Sequence, residues 1–421
     1  MRTLLLPILC SCAVFGAESL TAPQLMEMAR QDGKSEKFAG VLRASLGETE
    51  IAKGTAVLGE GADFIWAVGS EKLPALYVDG QPLGKMQRGA KNLWYYTGKL
   101  KTGTSHEFHY IVDGKRFGGR NDVPAYGPDS YERPGVPRGT LSGKLVHTSN
   151  MYDGMQSDYW IYVPAQYDPK SPACLMVWHD GQGLVQRDGA TRAQIVFDNL
   201  THQKKIPVII HVFVSPGRIG ERPMRSVLYD TVTDKHARFL RDELLPEVYK
   251  KYGIRRDGYS RAVAGNSSGG ISSFNIAWQQ PDQFSRVLSR IGSFTSIQWR
   301  FSQPDPSQNL EGGNVYPNKV RKEPKRNLRV WLQDGAEDLE NAHGSWPLQN
   351  IQMANSLKMR DYDFHFSWGN GAHSGAHGNA ELPEELIWLW RDYDSTKTEQ
   401  IYEQDPVERS KPLFRVTIYN R

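Results

Sequence analysis

The sequence predicts an α/β fold, a mostly parallel sheet with helices on both faces, preceded by a small antiparallel β-sandwich. Three observations carry this. From about Leu145 onward, short apolar runs alternate with amphipathic stretches, the pattern of repeated strand–helix units. Two of those runs, Cys174–Trp178 and Val208–Val214, are apolar almost throughout, as strands covered on both faces are. Between Ile51 and Gly118 the texture differs: short strand-like runs follow one another with turn residues between them.

In chain order, residues 1–17 pair an early Arg2 with an apolar run from Leu4 to Val14 and then small residues, which predicts a secretory signal peptide and a secreted or periplasmic protein. The apolar run is far below the roughly 20 residues of a spanning helix, and no later segment reaches that length. Leu9-Cys10-Ser11-Cys12 loosely matches a lipidation box, so a lipid anchor at Cys12 is the lesser alternative. With the leader removed only Cys174 remains, expected as a buried, inert thiol. Residues 18–50 read as a helical lead-in, with Leu25, Met28 and Ala29, then Phe38, Val41 and Leu42 at helical spacing. Residues 51–118 form the predicted sandwich, with hairpin turns at Asp79-Gly80 and Asp113-Gly114, residue types that tolerate positive φ. About half of Trp66, Trp94, Tyr95 and Tyr96 should be buried there, because alternate residues of a strand face the core. Residues 119–144, rich in Pro and Gly, read as a linker. Residues 145–395 hold the α/β series, including a predicted helix over Thr231–Lys250 and a last one over Glu384–Tyr393. A tail, 396–421, ends in the strand-like Phe414–Tyr419.

The composition is that of a folded globular protein: 39% hydrophobic, 11% aromatic, and a net charge of only +4 over 421 residues. The densest basic run, Lys319–Arg326, contains Pro324 and Glu323 and reads as a solvated loop. No helix-turn-helix, zinc finger or interleaved basic and aromatic pattern is present, so no nucleic-acid role is expected.

The sharpest motif is Gly265-Asn266-Ser267-Ser268-Gly269-Gly270, between a short apolar strand and a helix-compatible run, Ile271–Trp278. In that context G-x-S-x-G marks a tight turn that exposes the serine hydroxyl at the sheet edge. Ser267 has glycines at both required offsets, whereas Ser268 would put Asn266 in the place of the first. A serine needs a base to take its proton. His373, after the Gly/Ala-rich turn that follows strand Asp363–Trp368, is the first choice, with His377 as the polar alternative on the cleft rim. A carboxylate must hold the imidazole. Asp338, after the Gly335 turn, is preferred over Glu337 and Asp334. The order nucleophile, acid, base is the one α/β-hydrolases use. Two oxyanion donors are expected, the N–H of Ser268 and that of Gln182 or Gly181 in the loop after strand Cys174–Trp178. His373-x-x-x-His377 has metal-ligand spacing, but Gly375 weakens a helix between them, and neither a metal nor an organic cofactor is expected. Arg225, Tyr229, Trp299 and Trp346 are candidate substrate contacts on loops.

These motifs resemble the Putative esterase family of the α/β-hydrolase superfamily, which includes enterochelin esterases and carbohydrate esterase family one. The carriers are WHDGQG (Trp178–Gly183), RFLRDELLPEV (Arg238–Val248), AGNSSGG (Ala264–Gly270), WQQPDQF (Trp278–Phe284), LQDGAEDL (Leu332–Leu339) and GAHSGAH (Gly371–His377). The resemblance covers roughly Leu145–Tyr393 and implies a triad of Ser267, Asp338 and His373, with Gln182 as second oxyanion donor. The β-region before it is similar to the immunoglobulin-like domain of enterochelin-esterase relatives. The implied activity is hydrolysis of carboxylic esters, feruloyl or acetyl groups on plant polysaccharide or enterochelin-type esters. The substrate is then a small molecule or a polysaccharide-linked ester. An inactive carbohydrate-binding protein and an acyltransferase using the same serine are the alternatives.

Overall fold

The computed structural model describes residues 20–299 and 304–417. The predicted leader, with Cys10 and Cys12, lies outside the described residues, as do positions 418–419 of the predicted terminal strand. The chain divides into two compact units. One contains the described chain up to Leu76 together with Gly84–Lys99 and Tyr110–Gly118; the other contains Tyr77–Leu83, Leu100–His109 and the chain from Gly119 onward.

In the first unit, helices Ala22–Asp32, Glu36–Leu46 and Glu48–Lys53 precede a sheet with strand order Ala56–Glu60, Asp63–Gly69, Leu93–Lys99, Gln87–Arg88, antiparallel throughout. The Ser35 hydroxyl caps the second helix by accepting from the Phe38 N–H at 3.0 Å. Leu25, Phe38 and Leu42 from the helices cluster with Ile65, Ala67, Leu93 and Tyr95 from the sheet. Trp66 and Tyr95 are buried while Trp94 and Tyr96 are half-buried, the division that strand alternation predicts.

In the second unit, a large mixed sheet has the order Arg222–Pro223, Arg218–Ile219, Gln156–Val163, Ile209–Val214, Cys174–His179, Arg261–Asn266, Arg286–Arg290, Arg329–Glu337, Asp363–Ala372. From Ile209–Val214 to Asp363–Ala372 every pairing is parallel. Alternation sorts its residues to two faces. Leu175, Val177, Ile210, Val212, Val263, Val287, Val330 and Leu332 join one core cluster. Cys174, Met176, Trp178, Ile209, Phe213, Ala262, Ala264, Leu288 and Trp331 join the other. Buried Cys174 has its thiol pushed up to about 12 by burial, in keeping with an inert role.

Several elements depart from expectation. The predicted linker begins inside a strand: Lys115–Ala125 runs through Gly119 and Pro124, beyond the Asp113-Gly114 turn, where both residues have positive φ. Composition misled there because a strand end tolerates Pro. The helix expected over Thr231–Lys250 starts at Lys235 and passes through a π-helical stretch, Phe239–Leu244, before Leu245–Tyr249. Pro246 has no N–H to donate, which favours irregular winding just before it. The basic run is half helix: Tyr316–Lys322 is helical, and Arg326 lies over the Trp278 ring at 3.8 Å. The last long helix is Ala376–Trp390, starting eight residues before the predicted Glu384. Residues 414–417 carry no strand.

Candidate active site

Strand Arg261–Asn266 lies between Cys174–His179 and Arg286–Arg290, in the middle of the parallel run. At its C-terminal end the chain reverses into helix Ser268–Gln279. Ser267 sits at the reversal with φ 58° and ψ −120°, a conformation that L side chains rarely adopt. The turn has no room for a side chain at Gly265, where a Cβ would lie 2.5 Å from the Gly269 carbonyl carbon. This is the geometry that the flanking glycines of G-x-S-x-G permit.

The Ser267 Oγ is 2.8 Å from His373 Nε2, and His373 Nδ1 is 2.5 Å from Asp338 Oδ1. The three residues preferred from sequence are therefore brought together in one row. Asp338 is buried, and burial alone would raise its carboxyl. The hydrogen bonds with His373 and from the Leu339 N–H outweigh that and hold it below the usual carboxylate range. The competing Glu337 is exposed, and Asp334 is fully buried.

His377 is not on a cleft rim. It is buried, with Nδ1 3.3 Å from Gln333 Nε2 and Nε2 3.4 Å from Thr104 Oγ1, and burial pushes its pKa down to about 4. The two histidines thus turn to different partners. Among the described residues no group of three or more His, Cys, Asp or Glu side chains is placed to hold a metal.

Ser268 is the first residue of its helix, and Gln182 lies in the short helical turn Gly181–Leu184. N–H groups at these positions have no carbonyl one turn earlier to satisfy them, so they are free to serve as donors. Gly181 has no space for a side chain, since a Cβ there would lie 2.4 Å from the Val214 nitrogen. The Gln182 side chain accepts from Ser215 Oγ at 2.9 Å.

The four candidate substrate contacts fare differently. Arg225 opens a short helix and is partly exposed. Its Nε and Nη2 donate to Asp180 at 3.0 and 2.8 Å, and Nη2 is 3.5 Å from the Asn266 carbonyl. Trp299 is on the surface, 57% exposed. Tyr229 and Trp346 are corrections: both are buried rather than on loops open to ligand. Tyr229 stacks on His236 at 5.4 Å and meets His179 edge-on at 4.7 Å. Trp346 meets the His373 ring edge-on at 5.7 Å and donates from Nε1 to Ser293 Oγ at 3.2 Å. Aromatic residues near a motif look alike in sequence whether they pack or bind, and burial separates them.

Ser293 was not singled out from sequence. Its Oγ is 3.2 Å from Ser267 Oγ, and its N–H donates to the Ser267 carbonyl at 3.1 Å. No motif marks it; the Gly292 before it is the single local hint of a tight turn. Behind the elbow, His179 Nδ1 is 3.2 Å from both the Ala264 carbonyl and Ser273 Oγ, and His236 Nδ1 is 3.0 Å from Ser272 Oγ. Burial pushes His179 down to about 4 and His236 well below its ordinary value, so both are neutral packing groups tying helix to sheet.

The fold and the hydrogen-bonded row define an α/β-hydrolase. Residues 154–389 match the family model described as "Putative esterase", and the chain belongs to that family. An endo-1,4-β-xylanase/feruloyl esterase of Xylanibacter ruminicola is 24% identical over 261 residues, 57% of this chain and 32% of that relative, so the chain spans about a third of the relative's length. Among solved structures, the enterobactin esterase FES of Shigella flexneri in the presence of enterobactin has a TM-score of 0.52 at 19% identity, covering 78% of this chain and 93% of that one. The ferric enterobactin esterase of Salmonella typhimurium has a TM-score of 0.50 at 18% identity, covering 78% and 93%. These structures share the fold. No helix among the described residues is long and apolar enough to cross a membrane.

Proposed function

We propose that the protein is a secreted serine carboxylesterase. Ser267 Oγ attacks the ester carbonyl carbon while His373 Nε2 takes its proton. Asp338 keeps the imidazole in the tautomer that receives at Nε2 and stabilises the imidazolium. The negative charge on the tetrahedral oxygen meets the N–H groups of Ser268 and Gln182. His373 returns the proton to the leaving alcohol, leaving an acyl-enzyme on Ser267 that water then hydrolyses by the same steps in reverse. The observation that carries this reading is the Ser267–His373–Asp338 row at 2.8 and 2.5 Å, with the serine on a strained elbow. Such a row also disfavours an inactive carbohydrate-binding role, for which a strained nucleophile has no use. The feruloyl esterase relative makes aromatic acyl esters the first substrates to try. We place the N-terminal strands in an immunoglobulin-like domain and residues 1–17 in a secretory leader.

The test is hydrolysis of p-nitrophenyl acetate and methyl ferulate by the wild type and Ser267→Ala. Activity in the wild type and a fall of at least about 10⁴-fold in kcat in the variant is the expected result. Hydrolysis that survives the substitution would falsify the nucleophile assignment.

A further inference from the structure

Two carboxyl oxygens behind His373, Oδ2 of Asp338 and Oδ2 of Asp334, are buried and receive no well-formed hydrogen bond from a donor among the described residues. Asp338 commits Oδ1 to both His373 Nδ1 and the Leu339 N–H, each at 2.5 Å. Asp334 is fully buried and commits Oδ1 to the Gly335 N–H at 2.8 Å. The Asp338 N–H bonds back to the Gly335 carbonyl at 3.3 Å, which folds the segment so that the two carboxyl groups face each other. Gly335 permits this fold because its Cα is pressed against the neighbouring strand, where a Cβ would lie 2.2 Å from the Gly371 carbonyl oxygen.

Two ionised carboxylates cannot share a dry site, and two acceptors cannot satisfy each other. One proton between them resolves both problems. The charged and titratable groups facing the pair are few. His373, from the loop after strand Asp363–Ala372, faces Asp338. Helix Trp346–Met359 presents neutral Asn350, whose amide also reaches Asp334 and whose Nδ2 donates to the Gly292 and Trp346 carbonyls at 2.9 and 3.1 Å. With His373 drawing on Asp338, the negative charge belongs there and the proton belongs on Asp334.

We infer that Asp334 is a positioning residue: it stays protonated and donates a hydrogen bond from Oδ2 to Oδ2 of Asp338, fixing the carboxylate that orients His373. This deepens, and rests on, the serine-esterase reading. No bond forms or breaks in this role; the proton stays on Asp334 through turnover while Asp338 stays ionised. Burial, the largest cause, together with the Asp338 charge holds the Asp334 carboxyl well above its ordinary range, in line with this assignment.

Asparagine keeps a donor at the same place and alanine does not. In the full chain, Asp334→Asn should retain kcat on p-nitrophenyl acetate within about threefold. Asp334→Ala should lose about 10- to 100-fold in kcat with KM little changed. An independent readout comes from carboxyl ¹³C NMR of aspartate-labelled protein at neutral pH. One resonance should lie at the neutral-acid position, disappear in Asp334→Asn, and persist in Ser267→Ala. The assignment is overturned if the Asp334 resonance lies at the carboxylate position, or if the Asn variant is as impaired as the Ala variant. Should Asp334→Ala fail to fold, the NMR result and the Asn variant decide alone. Full activity in Ser267→Ala would instead sink the catalytic reading and leave the NMR result standing on its own.

Discussion

Asp338 and Glu337 are sequence neighbours in opposite surroundings. Asp338 faces His373 from a buried position, and Glu337 points to solvent. The irregular register between Gly335 and Glu337 against the last strand is what sets which of them turns inward. Asp338→Asn should therefore lower kcat by about 10⁴-fold, through the wrong imidazole tautomer, while Glu337→Gln stays within about twofold. Steady-state kinetics on p-nitrophenyl acetate checks both. The histidines divide in the same way. His373→Ala should lose several orders of magnitude in kcat. His377→Ala should keep kcat within about tenfold and instead lower thermal stability by about 1–3 kcal/mol, as loss of a buried packing group does. At this scale much of the site was legible, because the proposed nucleophile, base and acid, Ser267, His373 and Asp338, each follow a strand and carry a glycine turn. What was not legible is burial. Tyr229 and Trp346 read as loop aromatics, yet neighbours remote in sequence, His179 and Ser293, absorb them. Ser293 is an ordinary residue whose contact with Ser267 arises only where separate strand ends converge.

Helix Ala376–Trp390 shows what the sequence hides at the level of an element. Gly375, Gly378 and Pro383 argue against helix there, and the predicted start was accordingly late. Tertiary packing overrides propensity: Leu382, Leu386, Leu389 and Trp390 all enter the core on one sheet face. The buried strands were easier to read, since an unbroken apolar run bounded by turns has few other uses. The same helix buries Glu381, whose Oε1 accepts from Ser367 Oγ at 2.6 Å while Oε2 lies 3.8 Å from His377 Nε2. Its neighbour Glu385 is committed to Arg290 Nε at 2.8 and 3.0 Å. Burial first, and then the Glu385 carboxylate, raise Glu381 to about 8. An acid with a raised folded pKa favours the folded state least when the unfolded chain can ionise. Its penalty is absent below about pH 4.5 and grows as pH rises toward 8. Glu381→Gln keeps the shape and removes the penalty. Its melting temperature should exceed that of the wild type at pH 8 and match it near pH 4.5, as read by circular dichroism.

For the molecule as a whole, buried neutral histidines set the opposite trend. His179 ends strand Cys174–His179, His211 lies within Ile209–Val214 between Phe197 and Trp178, and His377 heads the last long helix. Burial depresses them to about 4, about 3 and about 4. In the unfolded chain each would titrate near 6.5, so between that value and the folded pKa the unfolded state binds more protons. Stability is therefore lost as pH falls from about 6.5 toward 4, by an amount of the order of 3 kcal/mol for each histidine. Glu381 works the other way over part of this range, gaining stability as pH falls from 8 to 4.5. Below about pH 4.5 that compensation has ended and only the histidine loss continues. Urea unfolding of the full chain should accordingly show a midpoint that rises modestly as pH falls from 8 to about 6.5 and then declines from about 6.5 toward 4, because three histidines outweigh one glutamate. His211→Gln or His211→Asn would keep a polar group beside the Trp178 N–H, which donates to Nδ1 at 3.0 Å, and remove one of the titrating groups. The variant should be less stable than the wild type at pH 7, because the stacked contact with Phe197 at 3.6 Å is lost, yet lose less on acidification. An acid slope identical to that of the wild type would mean that His211 is not among the groups that protonate on unfolding.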